Sequence, residues 1–162
     1  MDTKELMNHE RDELEAKIKD LESDGSTTFW KVRVARMNLK EFDLREELII
    51  TENRIEKQEE TLRKLVDELY INAGSLDDAV GTLDTLTVEA CPAADLVKSQ
   101  TLLTRSADSV AKITNNISNV SAQLHKLTEL RGAAMLLENE IKVVEHGRTQ
   151  LISEGLEEGL DK

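Results

Sequence analysis

The stretch that decides the fold is residues 30–70, WKVRVARMNLKEFDLREELIITENRIEKQEETLRKLVDELY. Counting alternate steps of four and three from its first residue gives Trp30, Val34, Met37, Glu41, Leu44, Leu48, Thr51, Ile55, Gln58, Leu62, Leu65 and Leu69, and nine of these twelve are apolar. Neither Gly nor Pro falls between Gly25 and Gly74. A 4-3 apolar seam held for about forty residues is the mark of a coiled-coil-like helix rather than of an ordinary amphipathic surface helix. At ~1.5 Å per residue such a helix is roughly 60 Å long. It can bury its stripe only against a partner of similar length.

The chain supplies one. After Pro92, which suits a first helical turn, the same spacing predicts a second seam through Leu96, Ser99, Leu103, Ser106, Val110, Ile113, Ile117, Val120, Leu124 and Leu127, up to Arg131-Gly132. The stripe resumes as Ala134, Leu137, Ile141, Val144 and Leu151, and the step through Leu127, Leu130 and Ala134 reads as a stammer with a bend near Gly132. Before the long helix, Met7, Leu14, Ile18 and Leu21 share one face of a separate acidic helix, Thr3 to Glu22. Ser23–Thr27 follow as a stop and as N-cap candidates for the next element. Asn72-Ala73-Gly74-Ser75 reads as a helix stop, and Asn72–Cys91 as an acidic loop with one short helix. The tail from Ser153 reads as a flexible acidic end.

The fold class expected is therefore all-α. A long antiparallel hairpin, Thr28–Tyr70 against Pro92–Arg131, lies between a short N-terminal helix and a bent C-terminal helix. Residues 1–27, 28–131 and 132–162 are the expected divisions, the middle one being the oligomerisation core. Its seam would be carried by Trp30, Val34, Met37, Leu44, Leu48, Ile55, Leu62, Leu65, Leu69, Val110, Ile113, Ile117, Val120 and Leu124. Glu41, Thr51, Gln58, Ser99 and Ser106 resemble the polar interruptions that set register in coiled coils. They suit oligomeric packing and a monomeric hairpin alike, and seams this long and regular point to a homo-oligomer.

Composition agrees. Four aromatic residues, one Pro and 33% charged residues in 162 disfavour sheets, which lean on aromatic and β-branched side chains between turns. A net charge of −12 argues against a surface that grips nucleic acid or anionic membrane all over. Charge is uneven: residues 71–97 sum to −5 and 98–134 to +3. A lone Cys91 forms no internal disulfide, and no apolar run suggests a signal peptide or membrane span. A cytoplasmic location is expected, the host cytoplasm if the chain is viral.

No site chemistry emerges from the motifs. His9, His125 and His146 are far apart, His125 and Glu129 have no second such pair, and Cys91 sits in an acidic stretch that raises a thiol pKa. No phosphate loop, nucleophile elbow or zinc spacing occurs, so neither catalysis nor a metal or other cofactor is expected. The segment Phe29–Lys40 stands apart. Lys31, Arg33, Arg36 and Lys40 lie in it without an acid, and Lys98, Arg105, Lys112 and Lys126 make a sparser second row. Such cations can hold phosphates, or they can pair with acids on another helix.

Residues 28–50, TFWKVRVARMNLKEFDLREELII, resemble a stretch of the small terminase subunits of tailed bacteriophages, in which an aromatic residue, spaced Arg/Lys and Ala lead into a Glu-Leu-rich helix. The resemblance implies a ring-forming subunit that binds viral DNA and, through its tail, a large terminase motor during genome packaging. Those proteins commonly begin with a helix-turn-helix, whereas residues 1–27 read as one helix. DNA contact through Lys31, Arg33, Arg36 and Lys40 would then be non-specific. The rival expectation is a coiled-coil adaptor, scaffold or chaperone that meets only proteins.

Overall fold

A computed structural model describes residues 3–24, 29–88 and 93–160. The chain is all-α, with three helices: α1, Thr3–Ser23; α2, Phe29–Val88; and α3, Ala93–Leu160. Among the described residues only Asp24 lies outside a helix. The Ser23 hydroxyl donates to the Asp20 carbonyl at 2.9 Å, and the Asp24 amide donates to the same oxygen at 3.2 Å, closing the last turn of α1. The N-cap candidates Ser26 and Thr27, and Cys91 and Pro92, lie outside the described residues.

Two compact units divide the chain: residues 1–54 with 130–162, and residues 55–129. The division differs from the one expected at 27 and 131. In both units α2 and α3 pack antiparallel. The first unit brings Trp30 over Gly155 and Met37 over Gly147, and the second hydrogen-bonds Gln58 to Gln123. The start of α2 therefore pairs with the end of α3, and the expected pairing of Thr28–Tyr70 with Pro92–Arg131 is corrected.

All twelve seam positions of α2 are buried or half-buried. The register also runs on through Asn72, Leu76 and Ala79, so the expected helix stop at Asn72–Ser75 does not occur. One helical Gly costs about 1 kcal/mol relative to Ala. That is too little to end a helix packed along its length.

On α3 the inward series is Ser99, Leu102, Ser106, Ser109, Ile113, Asn116, Val120, Gln123, Leu127, Leu130, Ala134, Leu137, Ile141 and Val144. Steps of three and four alternate without slipping, so the stammer does not occur, and helix and register continue through Gly132. Leu103, Val110, Ile117 and Leu124, expected in the seam, are instead 47–58% exposed. Ile113 and Val120 are half-buried, as expected of the seam. One 4-3 series runs along the described length of α3, and in its N-terminal half that series turns Ser109, Asn116 and Gln123 inward. Residues 153–160, expected as a flexible tail, belong to α3.

The first unit is a three-helix cluster. Leu44, Ile141 and Val144 form its buried core, with Met37, Leu48 and Leu137 packed on it. Each such side chain stabilises the unit by roughly 1.5–3 kcal/mol when fully buried. α1 contributes its expected face, with Ile18 buried and Met7, Leu14 and Leu21 half-buried. On α2, Ala35 is buried and Val32, Leu39 and Phe42 are half-buried away from the α3 seam. α1 runs antiparallel to the start of α2, with Arg11 against Asp43 at 3.3 Å and Glu22 against Arg36 at 2.6 Å.

Candidate interaction surfaces

A polar group sits inside the first unit. Glu41 is 8% exposed, accepts from Arg45 Nε at 3.0 Å, and is bound by Arg148 Nη1, which also donates to Asn38 Oδ1 at 3.0 Å. Arg45 reaches across to Glu145 Oε1 at 2.7 Å. The hydrogen bond to Glu41, then the charges of Glu41 and Glu145, outweigh burial and hold the Arg45 guanidinium above its ordinary pKa. Glu41 was legible as a polar seam position. Its partners Arg148 and Glu145, about a hundred residues away, were not, because only the pairing of helices brings them near.

The four cations proposed for DNA do not form one strip. Helical residues turn about 100° apiece, so Arg33, Arg36 and Lys40 fall within about 60° of one another while Lys31 points to the other flank. The Lys31 ammonium lies 5.8 Å from the centroid of the Trp30 ring, within cation–π range. Arg36 is held by two hydrogen bonds to Glu22 Oε1, at 3.2 and 2.6 Å. Arg33 lines a shallow groove with Leu21, Phe29 and Val32, and Lys40 is exposed.

The second unit carries a clearer division of faces. With seam positions written a and d of a repeat abcdefg, Leu103, Val110, Ile117 and Leu124 all occupy e of α3. Lys98, Arg105, Lys112 and Lys126 all occupy g, on the opposite flank. The g flanks of the two helices meet, since Ser75 and Thr82 of α2 line one groove with Leu102 and Arg105 of α3. In the seam the Asn116 Nδ2 is buried without a hydrogen-bond partner.

Counting 4-3 steps backward from Val144 would have found the true α3 register from sequence; choosing the most apolar residue at each step did not. Among the described residues no group of three or more His, Cys, Asp or Glu side chains could hold a metal ion, and His125 simply pairs with Glu129 at 3.4 Å. No described helix is long and apolar enough to cross a membrane. Comparison with protein-family models, with curated proteins and with solved structures gives no match.

Proposed function

We propose that this chain is a non-enzymatic assembly or adaptor subunit that acts by helix-to-helix association, the second unit being the part it offers to protein partners. The exposed heptad row Leu103, Val110, Ile117 and Leu124 carries this reading. A solvated helix gains nothing from four large apolar side chains at seven-residue spacing, whereas a packed one needs them. Engagement of Arg36 by Glu22, and the turning away of Lys31, weigh against a DNA strip at Phe29–Lys40.

A second reading keeps the nucleic acid: a subunit of the small-terminase kind, with DNA phosphates on the g flank of α3. The alignment of Lys98, Arg105, Lys112 and Lys126 on one flank favours it. Native mass spectrometry of the whole chain at low salt, with and without a short DNA duplex, separates the two. Protein-only species whose mass is unchanged by DNA are expected. Uptake of duplex that falls steeply with added salt, and is lost when Arg105 and Lys112 become Ala, overturns the protein-only role in favour of the second reading.

A further inference from the structure

Among its described residues the second unit buries only small or few apolar side chains, Ala79 and Leu127, while larger ones lie exposed. On α3 these include the row Leu103, Val110, Ile117 and Leu124; on α2 they include Val66 and Val80. Val66, Ala73 and Val80 hold the e position of α2, as the row does on α3, and Glu59 holds it two turns earlier. Antiparallel helices bring like flanks together, and the g flanks already share the groove of Ser75, Thr82 and Arg105. Both apolar sets consequently line the other side of the helix pair. Among the described residues no third helix covers the row, whose side chains are 47–58% exposed.

Three features of this face specify its occupant. The first is charge. Of the 26 residues from Ser99 to Leu124 only Arg105, Asp108 and Lys112 are charged, in a chain that is 33% charged with a net −12. Arg105 and Lys112 stand on the opposite flank, and the row's outer neighbours are Ala107, Thr114 and Ser121, all uncharged and small. On the α3 side of such a face two strongly acidic chains meet with least repulsion, and small neighbours let helices approach closely; on the α2 side Glu56, Glu59, Arg63 and Asp77 border it.

The second feature is order. Leu, Val, Ile and Leu at equal spacing read alike in both directions, with β-branched residues inside and Leu at each end. A twofold axis midway between Val110 and Ile117 sets Leu103 of one copy opposite Leu124 of the other and Val110 opposite Ile117, which is the self-complementarity a symmetric dimer requires. The third is area. From Leu103 to Leu124 the row runs about 32 Å, and two helices side by side are about 20 Å wide. That gives about 600 Å² per copy and about 1,200 Å² in all, the lower limit of specific interfaces.

We infer that the second unit docks on a second copy of this chain through the e flanks of α2 and α3, antiparallel about that twofold axis, to complete a four-helix bundle. The inference rests on the helix-association reading above and adds the partner and the geometry. The test uses the whole chain with Cys91→Ser, so that an added cysteine is the only thiol. Thr114→Cys, beside the axis, should oxidise to a disulfide-linked dimer, and Lys112→Cys on the other flank should not. In sedimentation equilibrium Val110→Glu with Ile117→Glu should weaken association by roughly a hundredfold or more, because four carboxylates are then set against one another in an apolar face.

A monomeric parent chain, an assembly of any size whose association is unchanged by the two Glu substitutions, or cross-linking at Lys112→Cys but not at Thr114→Cys overturns the inference. Should the double Glu variant fail to fold by circular dichroism, the pair of cysteine variants decides alone. A monomer that takes up no DNA removes the self-pairing and leaves the adaptor role standing. DNA uptake by a dimer cross-linked at Thr114→Cys removes the protein-only role and leaves the self-pairing.

Discussion

Replacing Glu41 by Ala is expected to destabilise the first unit by roughly 3 kcal/mol, at the low end for breaking a buried ion pair because Arg148 keeps 29% of its side-chain surface in solvent. The loss has two parts. Glu41 accepts from both Arg45 and Arg148, so its removal leaves the half-buried Arg148 guanidinium with only Asn38 among the partners described above. The Cγ methylene of this buried side chain also goes. If the pairing of charge is what matters, the double variant Glu41→Leu with Arg148→Leu should recover most of the deficit, since burying well-packed apolar groups in place of an ion pair is neutral or stabilising. Arg148→Leu alone should behave like Glu41→Ala. Urea unfolding followed by far-ultraviolet circular dichroism measures all three. Additive losses in the double variant would show that the network acts through packing rather than through charge.

The second large effect reverses sign between glycines. Gly74 and Gly132 are helical, and a Cβ on either would meet nothing within 4 Å. Ala at each should stabilise the chain by about 1 kcal/mol through helix propensity alone. At Gly155 a Cβ would stand 2.5 Å from Cδ2 and 2.6 Å from Cε2 of the Trp30 indole, a rigid ring held in the seam. Gly155→Ala should accordingly cost roughly 1–3 kcal/mol despite the same propensity gain. At Gly147 the nearest atom is the mobile Met37 Cε at 2.9 Å, and the two terms should nearly cancel. Combining Trp30→Leu with Gly155→Ala should restore part of the loss. Trp30 is the chain's one tryptophan, so its fluorescence reports this packing directly in the same titrations. If Gly132→Ala were to destabilise instead, α3 would need a break at that residue and the unbroken register would be wrong.

The α2 seam was legible in the sequence because its twelve positions repeat with little ambiguity and are mostly apolar. On α3 two stripes compete between Ser99 and Leu127. One is apolar, through Leu103, Val110, Ile117 and Leu124; the other, through Leu102, Ser109, Asn116 and Gln123, is polar after its first residue. Local hydrophobicity picks the first and the helix packs with the second. The polar interruptions Glu41 and Gln58 could be placed in the seam, but their ligands Arg148 and Gln123 could not be named without the pairing. Gly155 read as part of a loose tail because its role is defined only by the indole opposite.

By itself, then, the sequence determined the helical class and the face that α2 buries; it ended α2 at Tyr70, and the structure carries the helix on to Val88. Period and propensity act over a few turns and need no partner to be read. Tertiary structure alone decided which segment of α3 meets which segment of α2, and which of two α3 stripes turns inward. It also decided which charges are spent on each other. Hydrophobicity along one helix only ranks the candidate stripes; packing against the opposite helix chooses between them, as it does for Ser109, Asn116 and Gln123 over Val110, Ile117 and Leu124.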